Sequence, residues 1–130
     1  MKKQIKNIDI DKMLQTLNSG DAFTGKIPYA IRHALRVNKI TLAERMKIYG
    51  DERIEILQKA VDDGFAVRDG DNIIVDEAHK QEIIKDITEL SQVENNLDFE
   101  VIDKDILEAY LMSHDLSMQE EDILLLFEAE

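Results

Sequence analysis

After Pro28, the only proline of the chain, Ile31, Leu35, Asn38, Leu42, Met46 and Tyr49 follow one another at intervals of three or four residues, and the spacing resumes at Ile56, Leu57, Ala60 and Val61. Such a spacing is the buried stripe of one helix. Proline suits a first helical turn, and Asp62-Asp63-Gly64 supplies a glycine stop, so the stripe predicts a helix from Pro28 to Asp62. At about 1.5 Å per residue that helix is about 50 Å long, more than the width of a domain of this size. It must therefore overhang the core or break. If it breaks, the places that invite it are the β-branched run Val37-Asn38-Lys39-Ile40-Thr41 and Gly50, about 1 kcal/mol poorer than alanine in a helix interior.

Shorter elements surround this one. A helix is predicted from Asp9 to Leu17, with Asp9 or Asp11 as cap and Met13, Leu14 and Leu17 inward, followed by a loop from Gly20 to Lys26. Beyond Gly64, Phe65-Ala66-Val67 and Ile73-Ile74-Val75 flank Asp69-Gly70-Asp71-Asn72, a hairpin signal. The same turn lacks the glycine and glutamate of a calcium loop, since Ile74 and Lys80 stand where they would fall. Asp76 is placed to cap a helix from Glu77 to Val93, with Ile83, Ile84, Ile87, Leu90 and Val93 inward, packed antiparallel to the long helix. Asn95-Asn96 breaks it, and Leu97-Asp98-Phe99-Glu100-Val101 alternates as a half-buried strand would. Asp103 to Met112 is read as a short helix, with Ile106, Leu107, Tyr110 and Leu111 inward. Ser117 and Glu120 have the capping-box spacing ahead of a last helix through Ile123 to Phe127. The fold expected is α+β and mainly helical: a long and a shorter antiparallel helix joined by a small β-hairpin, with an acidic C-terminal strand-plus-helix segment, in a single domain over residues 1–130.

Chemistry is sparse in this sequence. There is no cysteine, hence no disulfide, thiolate ligand or thiol nucleophile, and the sequence suits a reducing compartment. No window approaches the roughly 20 apolar residues of a membrane helix, and no apolar stretch follows the first lysines, so a cytoplasmic protein without a membrane partner is expected. G-x-x-x-x-G-K, G-x-G-x-x-G and G-x-S-x-G are all missing. His33, His79 and His114 have no metal-ligand pattern around them; His79 and Glu82 could share a helix face, but a site needs a further ligand. The expectation is a non-enzymatic protein with no catalytic, cofactor or metal site.

Charge is distributed unevenly. Residues 1–60 hold 12 Lys and Arg against 7 Asp and Glu, a net of +5, while residues 61–130 hold 4 against 21, a net of -17, within an overall -12. Arg32, Arg36 and Lys39 form a basic row on the long helix, extended by Lys47, Arg53 and Lys59. Against direct nucleic-acid binding stand the overall charge and an aromatic content of only 5%. The row is expected instead to face Glu82, Asp86 and Glu89 across the antiparallel helices as exposed ion pairs. After Asn96 the carboxylates are opposed only by Lys104. Nine of them, Asp98, Glu100, Asp103, Asp105, Glu108, Asp115, Glu120, Glu121 and Asp122, are the candidate partner-binding surface. Carboxylates spaced along a folded surface can imitate a nucleic-acid backbone and speed encounter with a basic protein.

Lys26-Ile27-Pro28-Tyr29-Ala30-Ile31 at the head of the long helix, Tyr49, Arg53 and Leu57 later in it, Asp62-Asp63-Gly64, the hairpin, a helix ending near Glu94 and Leu97-Asp98-Phe99-Glu100-Val101 follow in an order that resembles a family of small phage- and prophage-encoded proteins of Gram-positive bacteria, over roughly residues 5 to 127. The family has no assigned activity, so no functional residue carries over. The resemblance implies a phage setting, in which small acidic proteins act by binding. The function expected is thus an acidic, DNA-mimicking inhibitor of a basic host protein, a nucleic-acid-binding protein or defence nuclease, in an anti-CRISPR-like or other anti-defence role. The alternative is a virion assembly chaperone or scaffolding factor that works through apolar helix faces.

Overall fold

The computed structural model describes residues 1–19 and 26–130; the loop expected over 20–25 lies outside them. The elements run β1 (Lys2–Lys6), α1 (Asn7–Ser19), α2 (Tyr29–Asp62), β2 (Ala66–Asp69), β3 (Asn72–Val75), α3 (Lys80–Ser91), β4 (Glu94–Asp98), α4 (Lys104–Ser113) and α5 (Met118–Leu126). The strands form two antiparallel pairs, β1 with β4 and β2 with β3. The architecture is the expected mainly helical α+β fold.

The long helix does not break. α2 holds 34 residues in one run through both the β-branched stretch and Gly50. A cooperative helix of this length absorbs the roughly 1 kcal/mol glycine cost, and burial of Ile31, Ala34, Leu35, Asn38 and Leu42 overrides the local propensity of the first half. Its overhang is covered by a second, smaller core. The larger core gathers Ile5 of β1, α1, the first half of α2, Leu97 of β4, Phe99, Ile102, and α4 and α5 with Phe127. The smaller one joins Ala60, Ala66 and Ile83, with half-buried Ile56, Leu57, Val61, Phe65, Ile73, Val75 and Ile87 around them. Between Leu42 and Ala60 only Tyr49 of α2 is buried.

The hairpin closes through Gly70-Asp71, with Asp69 opposite Asn72 and Gly70 at a φ of 63°, a left-handed conformation that glycine alone takes without strain. α3 runs back along α2 as expected but is shorter than the predicted Glu77–Val93. Asp76 to His79 forms a turn, with the His79 N–H donating to the Asp76 carbonyl at 3.0 Å, and His79 rather than Asp76 holds the cap position. At its other end the Val93 carbonyl accepts from the Asn7 N–H at 3.0 Å, which turns the chain into β4.

The N-terminal segment corrects the sequence reading most. Lys2–Lys6 is a strand, α1 begins at Asn7 without an aspartate cap, and Asn95 and Asn96 lie inside β4 rather than breaking the chain before a strand at Leu97. The register pairs Lys2 with Asp98 and Lys6 with Glu94. A buried polar knot fixes it: the Asn7 Nδ2 donates to the Leu90 carbonyl at 2.8 Å, while the Asn95 Nδ2 donates to the Asn7 Oδ1 at 2.8 Å and to the Ile5 carbonyl at 3.1 Å. Asparagines that discourage strands in isolation here satisfy four elements at once.

Candidate functional site

The acidic C-terminal segment is fastened to α2 through one fully buried side chain. Asn38 accepts from the Glu100 N–H at 2.7 Å through its Oδ1 and donates from its Nδ2 to the Glu100 carbonyl at 2.9 Å. Past Glu100, the Ile102 N–H donates to the Phe127 carbonyl at 2.8 Å and the Ala129 N–H to the Ile102 carbonyl at 2.9 Å, so the end of the chain closes back on the entry to α4. The Phe99 and Phe127 rings meet at 5.1 Å beneath this bridge. Leu107 and Tyr110 of α4 and Ile123 and Leu124 of α5 point into the same core. Burial raises the Tyr110 phenol above the ordinary tyrosine range, with the Glu120 carboxylate adding to it.

On this platform the nine candidate carboxylates divide into two sets. Three serve the fold. Asp98 accepts from the N-terminal ammonium of Met1 at 2.8 Å, and that bond and charge hold its carboxyl below the usual carboxylate range. The tie is therefore intact at neutral pH and is lost as pH falls through the lowered value. Asp103 caps α4, accepting from the Asp105 and Ile106 N–H groups. Glu120 completes the expected capping box with Ser117, each side chain accepting from the other's backbone N–H at 3.0 and 3.2 Å. The other six, Glu100, Asp105, Glu108, Asp115, Glu121 and Asp122, are exposed, and among the described residues none forms an ion pair. α5 also carries Met118 and Leu125 outward, 77% and 44% exposed, one helical turn from Asp122 and Glu121 respectively.

A basic counterpart that the sequence reading misassigned lies on α2. Arg32, Arg36 and Lys39 do not face Glu82, Asp86 and Glu89. The 12 residues of α3 reach back about 18 Å, only a third of the length of α2, and Glu82 and Asp86 sit beside Lys59 and Ala60 at the far end. Glu89 instead stands 4.0 Å from Lys85. Arg32, Arg36 and Lys39 rim a groove of about 440 Å³ whose floor is Leu17, Ile27 and Leu35, with Ile40 and Ala43 along its open side. The Arg32 guanidinium lies 5.8 Å from the Tyr29 ring centre, and no carboxylate among the described residues pairs with these three cations. The periodicity placed the row on one helix; which way it faced depended on how far α3 extends.

The three histidines lie at separate helix ends, each against an aromatic ring: His33 on Tyr29 at 5.8 Å, His79 on Phe65 at 3.8 Å and His114 on Tyr110 at 4.1 Å. No group of three His, Asp or Glu side chains among the described residues is arranged to hold a metal ion, and no helix among them is long and apolar enough to cross a membrane. No family model, curated protein or solved structure matches the chain.

Proposed function

We propose that this is a non-enzymatic binding protein of the host bacterial cytoplasm, of phage or prophage origin, whose α4–α5 face blocks a basic protein such as a nucleic-acid-binding protein or defence nuclease. The observation that carries the reading is the set of six exposed carboxylates, none ion-paired among the described residues, four of which (Asp105, Glu108, Glu121 and Asp122) stand on helices whose starts are fixed by Asp103 and by the Ser117–Glu120 box. A rigid array of like charges supplies steering and register to a cationic surface without needing a pocket. Contact then displaces the water and ions that a basic groove otherwise holds, so affinity falls steeply with salt.

The test is capture of partners from lysogenic or infected cell lysate at low and high salt, followed by binding of the recovered protein to purified variants. Glu121→Lys with Asp122→Lys is the informative change, because Glu120 belongs to the capping box and its loss would disturb α5 itself. A basic partner released by salt and lost with this double variant supports the reading. A phage structural protein that stays bound at high salt, with affinity unmoved by the variant, overturns it in favour of assembly through apolar faces.

A further inference from the structure

Among the described residues, two surfaces carry charges of opposite sign that no ion pair takes up. α5 is apolar on both sides: Ile123 and Leu124 enter the core, yet Met118 and Leu125 point to solvent between Glu121 and Asp122. A helix face of this composition, apolar at i and i+7 with acids on its flanks, is that of a helix that packs against something basic and apolar. The α1–α2 groove is basic and apolar, with its cations at i, i+4 and i+7 on α2 and aliphatic side chains between them. Met118 and Leu125 stand seven positions apart, as do Arg32 and Lys39, so the apolar row of α5 and the cation row of α2 advance by the same ~10.5 Å along their helices.

We propose that the groove is a self-association site: α5 of a second copy seats in it, Met118 and Leu125 against Ile40 and Ala43, Glu121 and Asp122 against Arg32, Arg36 and Lys39. The contact joins two different surfaces, so two copies either exchange it reciprocally or continue it into a chain of subunits. The overall charge of -12 opposes association at a distance, but at physiological ionic strength that repulsion is screened beyond about 8 Å, while pairs in contact are not. Because the contact covers Glu121 and Asp122, self-association and the proposed partner compete for one face.

Analytical ultracentrifugation of the purified chain alone tests this without reference to any partner, which keeps its failure separate from that of the functional reading. Association that grows with concentration between about 1 µM and 1 mM is expected. Arg32→Glu with Arg36→Glu weakens it by at least about tenfold, and so does Glu121→Lys with Asp122→Lys. Mixing these two variants restores it, since the reversed groove of one then faces the reversed helix of the other. Glu82→Lys with Asp86→Lys, which makes the same net-charge change as Glu121→Lys with Asp122→Lys, and Lys47→Glu with Arg53→Glu, which makes the same change as the Arg32 and Arg36 variant, lie outside both surfaces and leave it intact. A chain that stays monomeric throughout, or variants that associate as the parent does, or a mixture that does not recover, overturns the proposal; circular dichroism of each variant confirms that the helices are retained.

Discussion

The two ends of α2 are held in different ways. At its N-terminal half, β1, α1, β4, α4 and α5 converge on eighteen buried apolar residues drawn from positions 5 to 127. At its C-terminal half, three buried residues within positions 60 to 83 hold a hairpin and one helix. The first region closes through contacts far apart in sequence, and the second through near neighbours. Stability is therefore expected to be uneven along a single continuous helix, with the smaller region opening first.

The harshest way to probe this contrast is to empty each core. Phe127→Ala, at a fully buried ring packed on Phe99, is expected to cost about 3–5 kcal/mol and to unfold the larger region, whereas Ile83→Ala costs about 2 kcal/mol and frees the hairpin while α1, α4 and α5 persist. Urea unfolding followed by both circular dichroism and amide exchange distinguishes them; equal, all-or-none losses would show one cooperative unit.

Asn38→Leu comes next. It leaves the Glu100 N–H and carbonyl without partners in a part-buried position, at about 2–3 kcal/mol, and the amides of residues 98–102 should lose exchange protection while those of β2 and β3 keep theirs. Asp103→Ala and Ser117→Ala, each removing a cap, are expected to cost about 1 kcal/mol apiece and to fray only α4 or α5, read from the same unfolding curves.

Gly50, on the stretch of α2 between the two cores, gives the smallest effect. A methyl group on Gly50 meets no atom within 4 Å, so Gly50→Ala should add about 0.5–1 kcal/mol by removing the glycine entropy from the segment that connects the two cores. If the regions communicate through α2, exchange from the hairpin slows as well; if the gain stays confined to residues near position 50, they open independently.

What could be read in advance follows the same division. The long helix, the hairpin and the capping box rest on residues close together, and Pro28, Gly70 and the Ser117–Glu120 spacing announce them. β1 was not legible, because four of its five residues are polar and its only buried side chain, Ile5, is meaningful once β4 pairs with the strand and brings Leu97 into the same core. Asn7, Asn38 and Asn95 were equally silent: asparagine signals turns and caps locally, and its role here is set by backbone groups up to 90 residues away. For the nine carboxylates, residue type gave the acidic face, and only the geometry separated the three that hold the fold from the six that face outward.

The bridge that ties Ile102 to the backbone around Phe127 has a consequence for how the chain is made. Ribosomal synthesis delivers all of α2, the hairpin and α3 well before Phe127, so the smaller region can assemble on the emerging chain while the larger core still lacks that buried ring. Completion of the larger core thus reports that translation has reached at least that phenylalanine: a product that stops short of it keeps its helix-forming sequence but exposes Phe99, Leu107 and Leu124, apolar surface by which chaperones and proteases recognise an unfinished protein.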